Sequence, residues 1–248
     1  LAAIYDWHTG FAFAGFGMLI GLGIYLVGQK HLPAESGREV RLRMPLSKGD
    51  RRRIAGLVLV WPVSCMFWIA QTQVWNVYNL WVRDHLDLRV GRFTVPVPWL
   101  QAIDGLAPVI MLPAILALWR RQAVRHQEPD SLVKLAIGCA IFSASAVWLA
   151  AAPAVSGPDG KAPLLWGVAF HFISNLGWLY FTPIIVTLFA AKSPASLRGT
   201  MIGVNTTAVF AASLISGRIG GLYERLSPSE FWLLHAAIVG SGSLLVLT

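Results

Sequence analysis

Seven apolar stretches limit what this chain can fold into. They cover residues 11–27, 54–70 with a polar extension to 81, 99–119, 135–152, 164–190, 201–219 and 231–246. A helix rises ~1.5 Å per residue, so ~20 residues cross the hydrocarbon core of a bilayer. No water is present there to satisfy the backbone, so each stretch is predicted to be a helix. The expected fold class is all-α and transmembrane. This pattern excludes most soluble enzymes and all nucleic-acid readers, and makes transport the leading question.

Composition agrees. Charged residues make up 13% of the chain, against ~25% in a soluble domain. Cys65 and Cys139 each lie inside an apolar span, as small packing residues do. There is no metal-ligand spacing, no phosphate-binding loop and no nucleophile elbow. We therefore expect no enzyme, no cofactor and no metal.

The net charge of +8 is distributed as a membrane protein distributes it. Of the 20 Lys and Arg residues, 14 fall in the joints after the first, third and fifth spans, and 6 in the joints after the others. The positive-inside rule places the richer side in the cytoplasm. The chain opens on Leu1 and stops inside an apolar run at Thr248. We read it as a piece of a longer protein.

Polar residues inside spans are costly, and line either a pathway or a helix contact. Gln71, Trp75 and Asn79 recur at i, i+4 and i+8, which predicts one shared face. The alternative is an interfacial helix end, where Trp and Asn are at home. Asp104 is placed about one turn inside the third span, ahead of Pro108 and Pro113, which open the helical bonding ladder. It reads as a proton or cation site, or else as an acid favoured by the helix N-terminus. His171, Asn175, Trp178 and Thr182 form a stripe on the fifth span, flanked by Gly177 and Pro183, which are expected to weaken the helix. A packed histidine is the competing reading. In the sixth span Asn205 stands out, because Ser and Thr often bond back to their own helix.

Four segments together resemble the proton-coupled oligopeptide transporter family of the major facilitator superfamily. The first is Tyr5-Asp6-Trp7-His8-Thr9-Gly10-Phe11 with Gly17-Met18-Leu19-Ile20-Gly21-Leu22. The second is Gln71 followed by Val97-Pro98-Trp99-Leu100-Gln101. The third is Leu176-Gly177-Trp178-Leu179 running to Pro183. The fourth is Ser193-Pro194 with Arg198-Gly199-Thr200-Met201-Ile202-Gly203. The resemblance implies a helix bundle like that of the superfamily, with the sixth to twelfth helices in view. It also implies departures. The family's tenth-helix glutamate, which receives the peptide amino group, is Trp178 here. Its eighth-helix asparagine is Asp104, and its eleventh-helix tryptophan is Asn205.

On this resemblance, residues 1–29 would be the last helix of a preceding bundle, 30–53 a cytoplasmic linker, and 54–248 a six-helix C-terminal bundle. The implied function is the C-terminal part of a proton-coupled secondary transporter for small peptides or peptide-like solutes, in a bacterial inner membrane. The stripe on the fifth span and the matched family positions together give the expected binding residues Gln71, Asp104, His171, Asn175, Trp178 and Asn205, with Asp104 and His171 as candidate proton carriers. The implied partners are the solute, protons and the lipid bilayer. A competing reading is a degenerate transporter half, kept as a scaffold for other membrane proteins.

Overall fold

The computed structural model describes residues 6–31 and 46–247. Seven helices among them are long and apolar enough to cross a membrane, as the sequence predicts. The chain divides into two units, residues 1–44 and 45–248.

The first unit holds α1, Trp7–Gly28. Asp6 caps it, its Oδ1 accepting from the Thr9 backbone N–H at 2.6 Å.

The second unit holds the remaining helices. These are α2 (Lys48–Gln73), α3 (Val77–His85), α4 (Val97–Val124), α5 (Ser131–Ala150), α6 (Leu164–Lys192), α7 (Arg198–Gly220) and α8 (Pro228–Leu247). Residues 32–45 of the expected linker lie outside the described residues. Its last residues, Lys48 to Arg53, are helical. A capping box starts α2 there: Ser47 Oγ accepts from the Asp50 N–H at 3.1 Å, and Asp50 Oδ2 accepts from the Ser47 N–H at 3.2 Å.

In this unit α5 lies between α6 and α8, α2 between α7 and α8, and α6 also meets α4 and α7. A stack of Phe67 on Phe181, with ring centroids 4.0 Å apart, joins α2 to α6, and Phe142 of α5 closes on Phe67 at 5.0 Å. Trp148 and Trp166 stack at 3.8 Å, each indole N–H donating to the other's backbone carbonyl at 3.0 Å. Neither indole is left with an unpaired donor.

The backbones of α5 and α6 approach closely. A Cβ on Gly177 would lie 2.9 Å from the Gly138 carbonyl oxygen and 2.9 Å from the Phe142 nitrogen. One on Gly138 would lie 3.0 Å from the Gly177 oxygen. Two bare backbones therefore touch, as small residues permit in membranes. Gly177 and Pro183 do not break α6, which runs unbroken from Leu164 to Lys192. Gly177 serves the contact with α5.

The polar extension of the second span is where the chain does break. Residues 74–76 form a turn, and Asn76 has φ −109° and ψ −95°. Gln101 of α4 donates from Nε2 to the Val74 carbonyl at 2.5 Å and to Asn79 Oδ1 at 3.0 Å. The break rotates α3 relative to α2, so Gln71, Trp75 and Asn79 do not share a face: Gln71 is buried and Trp75 is 55% exposed.

Beyond α3 the connections form a small cap. Strand β1 (Leu86–Asp87) pairs in parallel with β4 (Ala162–Pro163), and β2 (Arg89–Val90) pairs antiparallel with β3 (Phe93–Thr94) across a turn where Gly91 has φ +61°. The Arg89 guanidinium, hydrogen-bonded to Asp87 at 3.1 Å, holds the Asp87 carboxyl below its usual range.

Candidate functional site

Three of the residues nominated from the sequence meet. Asp104 of α4 accepts two hydrogen bonds from α6 on its Oδ1, from His171 Nδ1 at 2.7 Å and from Asn175 Nδ2 at 2.8 Å. The same Asn175 amide also donates to the His171 carbonyl at 2.8 Å. When the carboxylate is ionised it only accepts, and Nδ1 then carries the hydrogen of the His171 bond. The i, i+4 spacing puts both donors on one face of α6, and the contact between α4 and α6 brings the acid to that face.

His171 is fully buried, and the Asp104 side chain is 16% exposed. Asp104 lies two turns past the start of α4, not one, so it is no first-turn acid. Its backbone carbonyl faces Pro108, four residues on, which has no N–H to donate. Two polar atoms of the cluster, Asp104 Oδ2 and His171 Nε2, are buried with no hydrogen-bond partner among the described residues. Buried polar atoms are rarely left so, because each costs ~1–3 kcal/mol when unpaired.

Tyr78 of α3 completes the wall. Its ring meets the His171 ring edge-on at 5.0 Å and stacks on Phe170 at 4.8 Å. Tyr78 was not nominated from the sequence. Its position depends on the break at 74–76, which no local pattern announces.

The other three nominated residues form no hydrogen bond or ring contact with this cluster among the described residues. Gln71 is buried, and its Oε1 has no partner among the described residues. Asn205 of α7 accepts from Ser64 Oγ of α2 at 3.1 Å. Trp178 is half-buried and packs against both the main core and the small apolar cluster of Ile115, Leu179 and Tyr180. Ser64 is a further residue that the sequence did not single out. It belongs to a polar seam between α2 and α7, in which Trp61 Nε1 donates to the Val204 carbonyl at 3.0 Å and Gln73 Nε2 to the Ser216 carbonyl at 2.9 Å. Among the described residues no group of three or more His, Cys, Asp and Glu is placed to hold a metal ion.

Residues 41–233 match the model of the POT family. Among curated relatives, the peptide transporter YePEPT of Yersinia enterocolitica is 29% identical over 209 residues, which is 82% of this chain and 41% of that protein. The uncharacterized transporter YclF of Bacillus subtilis is 25% identical, over 81% of this chain and 41% of its own length. The chain thus spans about two-fifths of the length of these relatives.

Among solved structures, a variant of the peptide transporter POT in complex with alafosfalin superposes with a TM-score of 0.79 at 19% identity, covering 99% of this chain and 61% of that one. A POT family transporter in complex with 5-aminolevulinic acid gives 0.74 at 17% identity, over 98% and 54%. These likenesses show the fold, an all-α bundle of membrane-length helices shared with those transporters. With most of its length matched by the family model and seven apolar helices among its described residues, this chain is a multi-pass membrane protein that belongs to the POT family, a family of transporters rather than enzymes.

Proposed function

We propose that this chain is the C-terminal part of a proton-coupled secondary transporter, carrying small peptides or peptide-like solutes by alternating access between two bundles. The observation that carries the reading is the convergence of Asp104, His171 and Asn175 inside a membrane bundle, with one polar atom of the acid and one of the imidazole unpaired. Relatives named as peptide transporters support the solute class. No comparable observation favours a scaffold. In this reading α1 ends a preceding bundle, and Gln71, Trp178 and Asn205 line the path further from the acid.

The chemistry follows from the two unpaired atoms. With His171 neutral, Nε2 is a lone pair and the cluster offers only acceptors. A proton taken up at Nε2 makes an imidazolium whose Nδ1 hydrogen still bonds Asp104. The cluster then presents one donor, Nε2–H, beside one acceptor, Asp104 Oδ2. A peptide unit carries the matching carbonyl and N–H, so proton binding prepares the site for the solute. Asn175 holds the carboxylate in place through both states. Both atoms are buried, so a solute reaches them only when the helices or side chains around them move.

The first test is uptake by the full-length protein in proteoliposomes, with a di- and tripeptide library and an inward proton gradient. Gradient-dependent accumulation of at least one peptide is expected. None from the whole library would remove the peptide reading.

A second test separates coupling from binding. His171→Gln removes the nitrogen to which the proposal assigns the proton, so gradient-driven accumulation should fall about tenfold while peptide counterflow stays within about twofold. Equal loss of both would assign His171 to binding or packing alone.

The 14-to-6 charge asymmetry supports a cytoplasmic position for residues 30–53 and 120–134. Cysteines replacing the exposed Gln127 and Pro158 test this, since the native Cys65 and Cys139 are buried. In intact cells an impermeant thiol reagent should modify the cysteine at 158 and spare the one at 127. The reverse pattern would invert the topology.

A further inference from the structure

A cavity of about 440 Å³ lies beside the first turns of α2, apart from the transport cluster. Leu57 and Val60 of α2, Leu132 of α5 and Leu188 of α6 wall it with hydrocarbon. Its rim carries two cations, Arg53 and Lys192, both exposed and neither in a hydrogen bond or ion pair among the described residues. One acid, Asp130, shares the rim. Its carboxylate turns to its own helix, where Oδ1 accepts from the Val133 N–H at 2.8 Å. Ser131 adds a hydroxyl at the same edge.

The cavity sits where the charged opening of α2, Arg51 to Arg53, gives way to its apolar run. A change from basic to apolar residues along a membrane helix is expected at the headgroup level of a bilayer. Basic pockets between membrane helices at this level recognise anionic headgroups. The apolar walls suit the first segment of an acyl chain, which a free phosphate lacks.

We infer that this cavity binds one anionic phospholipid. Its phosphodiester lies between Arg53 and Lys192, and the start of an acyl chain lies along Leu57, Val60, Leu132 and Leu188. A zwitterionic headgroup brings its own cation to the same rim and is disfavoured. The inference does not rest on the transport reading.

Native mass spectrometry of the delipidated full-length protein tests it, with phosphatidylglycerol and phosphatidylcholine of matched chains. The protein should retain phosphatidylglycerol in about tenfold preference, and the double variant Arg53→Gln/Lys192→Gln should lose that preference. Gly56 also lines the cavity, and a Cβ there meets nothing within 4 Å. Gly56→Leu should therefore fill the space, keep the melting temperature and weaken retention of phosphatidylglycerol. Equal retention by the double variant and the unmodified protein would overturn the site. Displacement of the lipid by soluble glycerol phosphate would overturn it as well, assigning the rim to a free phosphate ester.

Discussion

Asp104→Asn is expected to lower proton-gradient-driven uptake by the full-length protein at least about tenfold while the bundle stays folded. The substitution keeps the shape, and an amide oxygen can still accept from His171 and Asn175. It removes the charge that strengthens both bonds. Hydrogen bonds to a charged group contribute ~1.5–3 kcal/mol, and ~1.4 kcal/mol is a factor of ten. In the proposed cycle, an imidazolium at His171 would also lose its counter-charge at 2.7 Å. A role confined to the helix end predicts something different, a loss of ~0.3–1 kcal/mol in stability with transport intact. Proteoliposome uptake with and without the gradient separates the two. Unchanged gradient-driven uptake in the variant would leave Asp104 only a structural part.

Gly177→Leu should have the largest effect on stability. The new side chain would start from a Cβ 2.9 Å from backbone atoms of α5 that cannot rotate away. Overpacking a tight site costs ~1–3 kcal/mol, and a leucine at a backbone-to-backbone crossing belongs at or beyond the upper end. The helices must part, and α6 carries His171 and Asn175 away from their geometry with Asp104. A thiol-reactive dye reads the outcome, because Cys65 and Cys139 are free and buried in the bundle. The melting transition should fall by many degrees for Gly177→Leu and by less for Gly177→Ala. A leucine variant that melts with the unmodified protein would mean that the α5–α6 crossing is not tight.

Much of the fold is legible without coordinates. The seven spans follow from length and apolarity alone, because a bilayer admits no other solution for so long an apolar run. Their ends moved by a few residues, most visibly at α2, where a capping box starts the helix at Lys48, within the charged joint. His171 and Asn175 are legible as a pair because helical spacing is local. Asp104 is legible as an anomaly because a carboxylate inside a span is costly wherever it sits. The stripe from Gln71 to Asn79 failed because regular spacing assumes an unbroken helix. The turn at 74–76 is held by Gln101 from another helix, and nothing in the local pattern records that bond.

By itself the sequence determined that this chain crosses a membrane many times, which side its basic joints favour, and which few polar groups are out of place there. Only the tertiary structure decided which of those groups meet. Hydrocarbon surrounds every span alike, so apolarity does not choose the rotation or the neighbour of a membrane helix. That choice was made by close contacts between distant residues, Gly138 against Gly177 and Asp104 against His171 and Asn175, which set α4, α5 and α6 in one register.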